Sequence, residues 1–221
     1  MNKHFFKIAI SSFLFLNITF TFLPIANAHR LAGNVPPYLK EIKEILDLIY
    51  KNKIDQAFEL SKKIFDQTDC RCDPSDKPAC ECTLNEVCEM SKVQLCHDAK
   101  SLIKEAISGK NIIELENIFK TLSFNLMAER LDSLQTDSET NTTTLFIKKK
   151  YWPGRNYFSL IFEPLISKKK PVLANQLDRI LDRMLYRLED KQVKDYLRLN
   201  TEFKEKLADY LKADDMFNPK R

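Results

Sequence analysis

The chain has three glycines, Gly33, Gly109 and Gly154, in 221 residues. Tight hairpins and sheet corners draw on glycine for backbone angles that other residues avoid. A chain this poor in glycine is driven toward long helices, and the spacing of its apolar residues agrees. Pro36-Pro37 opens a first helix carrying Leu39, Ile42, Ile45, Leu46 and Ile49 at intervals of three and four. Asn52-Lys53-Ile54-Asp55 reads as a tight turn, and a second helix follows on Ala57, Leu60, Ile64 and Phe65. Thr83-Leu84-Asn85-Glu86 is a capping box, in which the threonine oxygen accepts an early amide and the glutamate reaches back to the cap amide. It predicts a third helix running unbroken to Ser108 on Val87, Leu95, Ala99, Leu102, Ile103 and Ala106, with Gly109 as its stop. Asn111 and Glu114 repeat the cap logic for a fourth helix, which runs to about Leu134 on Leu115, Ile118, Phe119, Leu122 and Leu126.

Two strong helices close the chain. One carries Leu173, Leu177, Ile180, Leu181, Met184, Leu185 and Leu188; the other carries Val193, Tyr196, Leu197, Phe203, Leu207, Tyr210 and Leu211. The expected fold is therefore mostly α, a bundle of about six helices. The first two helices form an antiparallel hairpin like those of tetratricopeptide-like repeats, but no second copy follows at that period. Residues 135–144 are polar and uncapped, and read as a linker or mobile loop between a helical region at 29–134 and a segment at 145–221. The two regions could equally be one domain. Residues 145–167 are the least helical stretch, and Pro153-Gly154 suits the centre of a type II turn. A small β-hairpin is the expectation there, narrowly ahead of a short helix from Asn156 to Glu163.

Residues 1–28 have the three parts of a secretory signal. Lys3 and Lys7 form a basic start, Ile8 to Ile25 an apolar run, and Ala26-Asn27-Ala28 a small-x-small cleavage site. The polar residues Ser11, Ser12, Asn17, Thr19 and Thr21, with Pro24, argue for cleavage over a retained anchor. Removing the two lysines leaves 33 basic residues against 31 acidic ones. So small an excess gives no reason to expect a nucleic-acid partner. The expected location is periplasmic or secreted.

All six cysteines, Cys70, Cys72, Cys80, Cys82, Cys88 and Cys96, fall in one short stretch. In an exported chain that pattern predicts three disulfides. Of the fifteen pairings, those within a Cys-x-Cys are disfavoured as strained. A Cys88–Cys96 bond is excluded if both sit on one helix, because eight residues rise about 12 Å and a disulfide needs Cα atoms within about 7 Å. Eight pairings remain, and each ties the loop at 68–82 once to itself and twice to the third helix. That loop, with Asp73, Pro74, Ser75, Asp76 and Pro78, buries too little apolar surface to order itself. Disulfides worth about 3 kcal/mol each would hold it.

A metal reading stands second. Thiolates can take Cu(I) or zinc, His97 adds a ligand beside Cys96, and His29 would become the first residue after cleavage. An N-terminal histidine resembles the copper brace of lytic polysaccharide monooxygenases, but those enzymes are β-sandwiches and this chain reads helical. Zinc sites also prefer two to four residues between paired cysteines. No bound metal or other cofactor is expected.

The candidate binding surface is the stretch Lys149, Lys150, Tyr151, Trp152, Arg155, Tyr157 and Phe158. Lys148-Lys149-Lys150 and Lys168-Lys169-Lys170 bracket its aromatics, and basic residues beside Trp and Tyr suit an anionic membrane interface. There is no nucleophile elbow, zincin motif, phosphate loop or Gly-rich nucleotide turn. A carboxylate pair made by folding would leave no such signature, so a hydrolase is the third reading. The first is an exported, non-enzymatic binding protein of the bacterial envelope or extracellular space, meeting a protein, envelope or host surface.

Overall fold

Pro36 and Pro37 begin α1 as expected, because a proline at the first helical position gives up an amide that has no intrahelical partner. The computed structural model describes residues 35–65, 83–139 and 144–213, the side chains of 135–150 excepted. All of these belong to one unit, Leu31–Arg221. Helix α1 (Pro37–Tyr50) buries Tyr38, Leu39, Ile42, Ile45 and Leu46 on one face. Helix α2 (Ile54–Lys63) turns back along it and buries Ala57, Phe58 and Ser61. The turn between them closes with Asn52 at φ 57°, while the Lys53 amide donates to the Leu48 carbonyl at 2.9 Å. This is a Schellman closure with asparagine in the left-handed position.

The predicted third helix is two. The capping box forms as read: the Glu86 amide donates to Thr83 Oγ1 at 3.1 Å, and the Thr83 amide donates to Glu86 Oε2 at 3.1 Å. It starts α3 (Leu84–Met90), which ends at Ser91 with φ −84° and ψ 146°. A new helix, α4 (Gln94–Ser108), follows Val93, whose φ is −69° and ψ 114°. Cys88 and Cys96, expected too far apart to pair, are joined by a disulfide with Cα atoms 4.9 Å apart. The exclusion failed because it assumed one continuous helix, and the chain bends between the two cysteines. None of the eight expected pairings contains this bond. Cys70, Cys72, Cys80 and Cys82, and the loop that holds them, lie outside the described residues.

Helix α5 (Ile112–Glu139) is the axis of the fold, about 42 Å long at 1.5 Å per residue. Asn111 caps it, accepting from the Glu114 amide at 3.1 Å. Its buried residues, Leu115, Ile118, Phe119, Leu122, Leu126, Met127, Leu131 and Leu134, surround it rather than lining one stripe. A helix apolar on several sides is one with neighbours on several sides. It packs against α1 and α4, and against two later helices, α6 and α9. It also runs through 135–139, half of the expected linker; residues 140–143 lie outside the described residues.

No strand occurs among the described residues, so the expected β-hairpin is absent. Helix α6 (Thr144–Tyr157) runs straight through Pro153-Gly154. It continues as a π-helical turn, Phe158–Phe162, and then as α7 (Glu163–Lys169). In the π turn the Glu163 amide reaches back five residues to the Phe158 carbonyl, and Phe158, Ile161 and Phe162 all face the core. Gly154 serves close packing here. A Cβ at that position would lie 2.9 Å from Leu131 Cδ2 and 3.1 Å from Leu131 Cγ. The absence of a side chain lets α6 lie hard against α5. The chain bends at Lys170 and closes with the antiparallel pair α8 (Pro171–Glu189) and α9 (Val193–Ala213). The mostly α architecture and these two closing helices match the sequence reading.

Candidate functional site

The expected aromatic surface is not a surface. Tyr151, Tyr157 and Phe158 are buried, Arg155 is 5 % exposed, and only Trp152 is half-buried. The side chains of Lys149 and Lys150 lie outside the described residues. A Pro-Gly turn would have put these rings at a loop tip. Because α6 continues through it, they point instead into the core, against α1, α8 and α9. The polar groups of Tyr151, Tyr157 and Arg155 have structural partners there. The Tyr151 hydroxyl donates to the Leu181 carbonyl at 2.6 Å. The hydroxyls of Tyr157 and Tyr38 are 2.8 Å apart and share a hydrogen bond. Phe158 meets the ring of Phe203 edge-on at 5.5 Å.

Arg155 spans from α6 to α8. It donates to Asp178 at 2.5 Å and Asp182 at 2.6 Å, and its guanidinium lies 5.6 Å from the centre of the Trp152 ring. Burial alone would lower the pKa of Arg155, but Tyr151 and the two carboxylates more than offset it, so the net shift is upward. Burial raises the Tyr151 phenol far above its ordinary value, against the pull of Arg155. A cation pinned by two carboxylates and a phenol that does not ionise hold two helices together, and neither is poised for proton transfer.

The second lysine triplet has a different setting. Lys168, Lys169 and Lys170 end α7 and are exposed. Cations there complement the negative end of the helix dipole. They also meet two tyrosines that the sequence reading did not connect to them. Lys168 Nζ lies 5.9 Å from the centre of the Tyr50 ring, and Lys170 Nζ lies 5.4 Å from that of Tyr210. A second ammonium, that of Lys120 on α5, lies 5.6 Å from the Tyr50 ring. Ammonium groups at these distances from an aromatic ring are held by its quadrupole.

Beneath this surface is a buried anchor. Lys120 is 1 % exposed and pairs with Glu116 one turn earlier. The same carboxylate oxygen, Glu116 Oε1, accepts from the Tyr50 hydroxyl at 2.8 Å. Burial, and then Glu116, push the Tyr50 phenol far above its ordinary range, with Tyr210 and Asp47 adding to the effect. Tyr50 thus remains a neutral hydrogen-bond donor at physiological pH, fixed at its hydroxyl and 39 % exposed overall. Glu116 is satisfied by Tyr50 and Lys120, whereas neither Lys168 nor Lys170 forms an ion pair among the described residues. Five helix ends, from α1, α5, α7, α8 and α9, meet in this arrangement.

Sequence reasoning missed Tyr50 and Tyr210 because each sits near the end of a strong apolar stripe and reads as core. The triplet at 168–170 was visible, but its partners lie more than a hundred residues earlier and forty later. His97 is exposed on α4, and His29 lies outside the described residues. No cluster of three or more metal-binding side chains occurs among the described residues. The sulfurs of Cys88 and Cys96 are bonded to each other, which withdraws them from a thiolate site. No described helix is long and apolar enough to cross a membrane. The chain matches no protein-family model, and no curated protein or solved structure is significantly similar to it.

Proposed function

We propose that the chain is an exported, non-enzymatic binding protein that docks on an anionic surface of acidic phospholipid headgroups. The contact face is formed by Lys168, Lys169 and Lys170 with Tyr50. The observation that carries this reading is the seating of exposed lysines over two tyrosine rings, one of them part-exposed and fixed by Glu116. Lysines supply the attraction to phosphate. A neutral tyrosine at the same place supplies an amphipathic ring suited to the headgroup layer. Export is supported by the signal pattern at 1–28 and by the presence of a disulfide, which persists in oxidising compartments.

The test is sedimentation with vesicles of phosphatidylcholine, with and without phosphatidylglycerol. The native chain should bind the anionic vesicles, and binding should weaken as salt rises. Each lysine near such a surface contributes about 1 kcal/mol, so Lys168→Glu with Lys170→Glu should lower partitioning by at least about tenfold. Equal partitioning of the native and doubly substituted chains would show that this face does not bind the lipid.

A further inference from the structure

Between Thr83 and Gly109 the sequence has neither proline nor glycine, and its apolar residues keep helical spacing throughout. A serine can offer its backbone a local turn in place of the helix, but with no proline or glycine beside it that preference alone does not force a break. Glu129, on α5, supplies the means. Its Oε2 accepts from Ser91 Oγ at 2.5 Å, and its Oε1 accepts from the Lys92 amide at 2.6 Å. Ser91 Oγ in turn accepts from the Val93 amide at 3.0 Å. One carboxylate therefore holds both residues that leave the helix, and it lies beside the N-terminal end of α4, where negative charge is favourable. Leu84 and Val87 bury α3 on the far side of the bend. The elbow thus has a non-covalent hold that does not depend on sulfur, and it places Cys88 and Cys96 at bonding distance.

We infer that Glu129 is the positioning residue for disulfide selection: it bends the 84–108 segment before oxidation and thereby assigns Cys88 to Cys96 among six cysteines. In a straight helix these two thiols would stand about 12 Å apart, and each would be left to other partners. In the elbow they exchange with an external disulfide such as oxidised glutathione. The Cys88–Cys96 bond forms, the glutathione disulfide breaks, and two glutathione thiols leave with the two electrons and two protons. Both cysteines are then buried, at 6 % and 4 % exposure, which shields the product from the reverse exchange.

The experiment uses the full chain in two forms. In the first, Cys88→Ser with Cys96→Ser removes the bond but keeps Glu129, and carbon chemical shifts at Ser91, Lys92 and Val93 report the backbone. Extended values, as in the native chain, are expected; helical or coil values would show that the bond makes the bend and would overturn the inference. In the second, reduced chains carrying Glu129→Ala or Glu129→Gln are oxidised in a glutathione buffer and their disulfides mapped by mass spectrometry. Loss of the carboxylate should cut the Cys88–Cys96 fraction at least about fivefold in the alanine variant, with glutamine intermediate because it keeps one acceptor. A native fraction in the alanine variant would overturn the inference as well.

Discussion

At Lys191 the backbone takes φ 57°, and at Lys110 it takes φ 51°. Both residues close a helix in the same way as Asn52. The next amide reaches back five residues, Gln192 to the Arg187 carbonyl and Asn111 to the Ala106 carbonyl, each at 2.8 Å. A left-handed conformation costs an L-residue about 1–2 kcal/mol, and glycine escapes that cost. Gly109 stops its helix as read, but as a right-handed C-cap, and the unusual angle falls on its neighbour. Lys191 is exposed and makes no described side-chain contact, so Lys191→Gly should stabilise the chain by about 1 kcal/mol. For a chain of this size that corresponds to roughly 2–4 °C in the thermal midpoint, measurable by calorimetry. An unchanged or lower midpoint would mean that the lysine side chain contributes more than the backbone angle costs.

Among the elements, Pro153 and Gly154 have opposite roles although they are adjacent. Proline inside α6 donates no amide and crowds the carbonyl four residues back. Pro153→Ala should therefore stabilise α6 by about 1–2 kcal/mol after allowing for the greater freedom of the unfolded chain. Gly154→Ala gains helix propensity but drives a methyl into Leu131. Overpacking costs about 1–3 kcal/mol against a propensity gain of about 1, so this variant should be neutral to clearly less stable. Denaturation midpoints moving in the opposite directions would contradict the packing described for α5 and α6. This pair also marks the limit of the sequence. Pro-Gly is turn chemistry read locally, and only the core into which Tyr151, Tyr157 and Phe158 fall overrides it. The Thr83–Glu86 capping box and the stripes of α1, α8 and α9 were legible because their causes are local. The bend at Ser91 was not, because the carboxylate that holds it sits on α5.

For the molecule as a whole, the buried tyrosines set a limit at high pH. Burial raises the phenols of Tyr151 and Tyr196 above their ordinary value of 10.0. Below pH 10 these groups are protonated in both the folded and unfolded chains, and their contribution is fully present. Above it the unfolded chain releases protons that the folded chain retains, so the unfolded state gains and stability falls. Each such group contributes a slope of about 1.4 kcal/mol per pH unit. The urea midpoint should therefore hold steady from pH 7 to 9 and drop steeply between 10 and 12. A midpoint unchanged at pH 11 would mean that these phenols are not buried as described.

The same three-dimensional view explains why the proposed contact face was half legible. The lysine triplet is a run in sequence, while its tyrosines are brought to it from α1 and α9 by the packing around α5. The most direct test of that face is amide hydrogen exchange on the full chain, with and without phosphatidylglycerol vesicles. Slower exchange is expected at Lys168 to Lys170 and at the end of α1 around Tyr50, reversed by added salt. Exchange unchanged at these positions, or slowed only elsewhere, would contradict docking through this face.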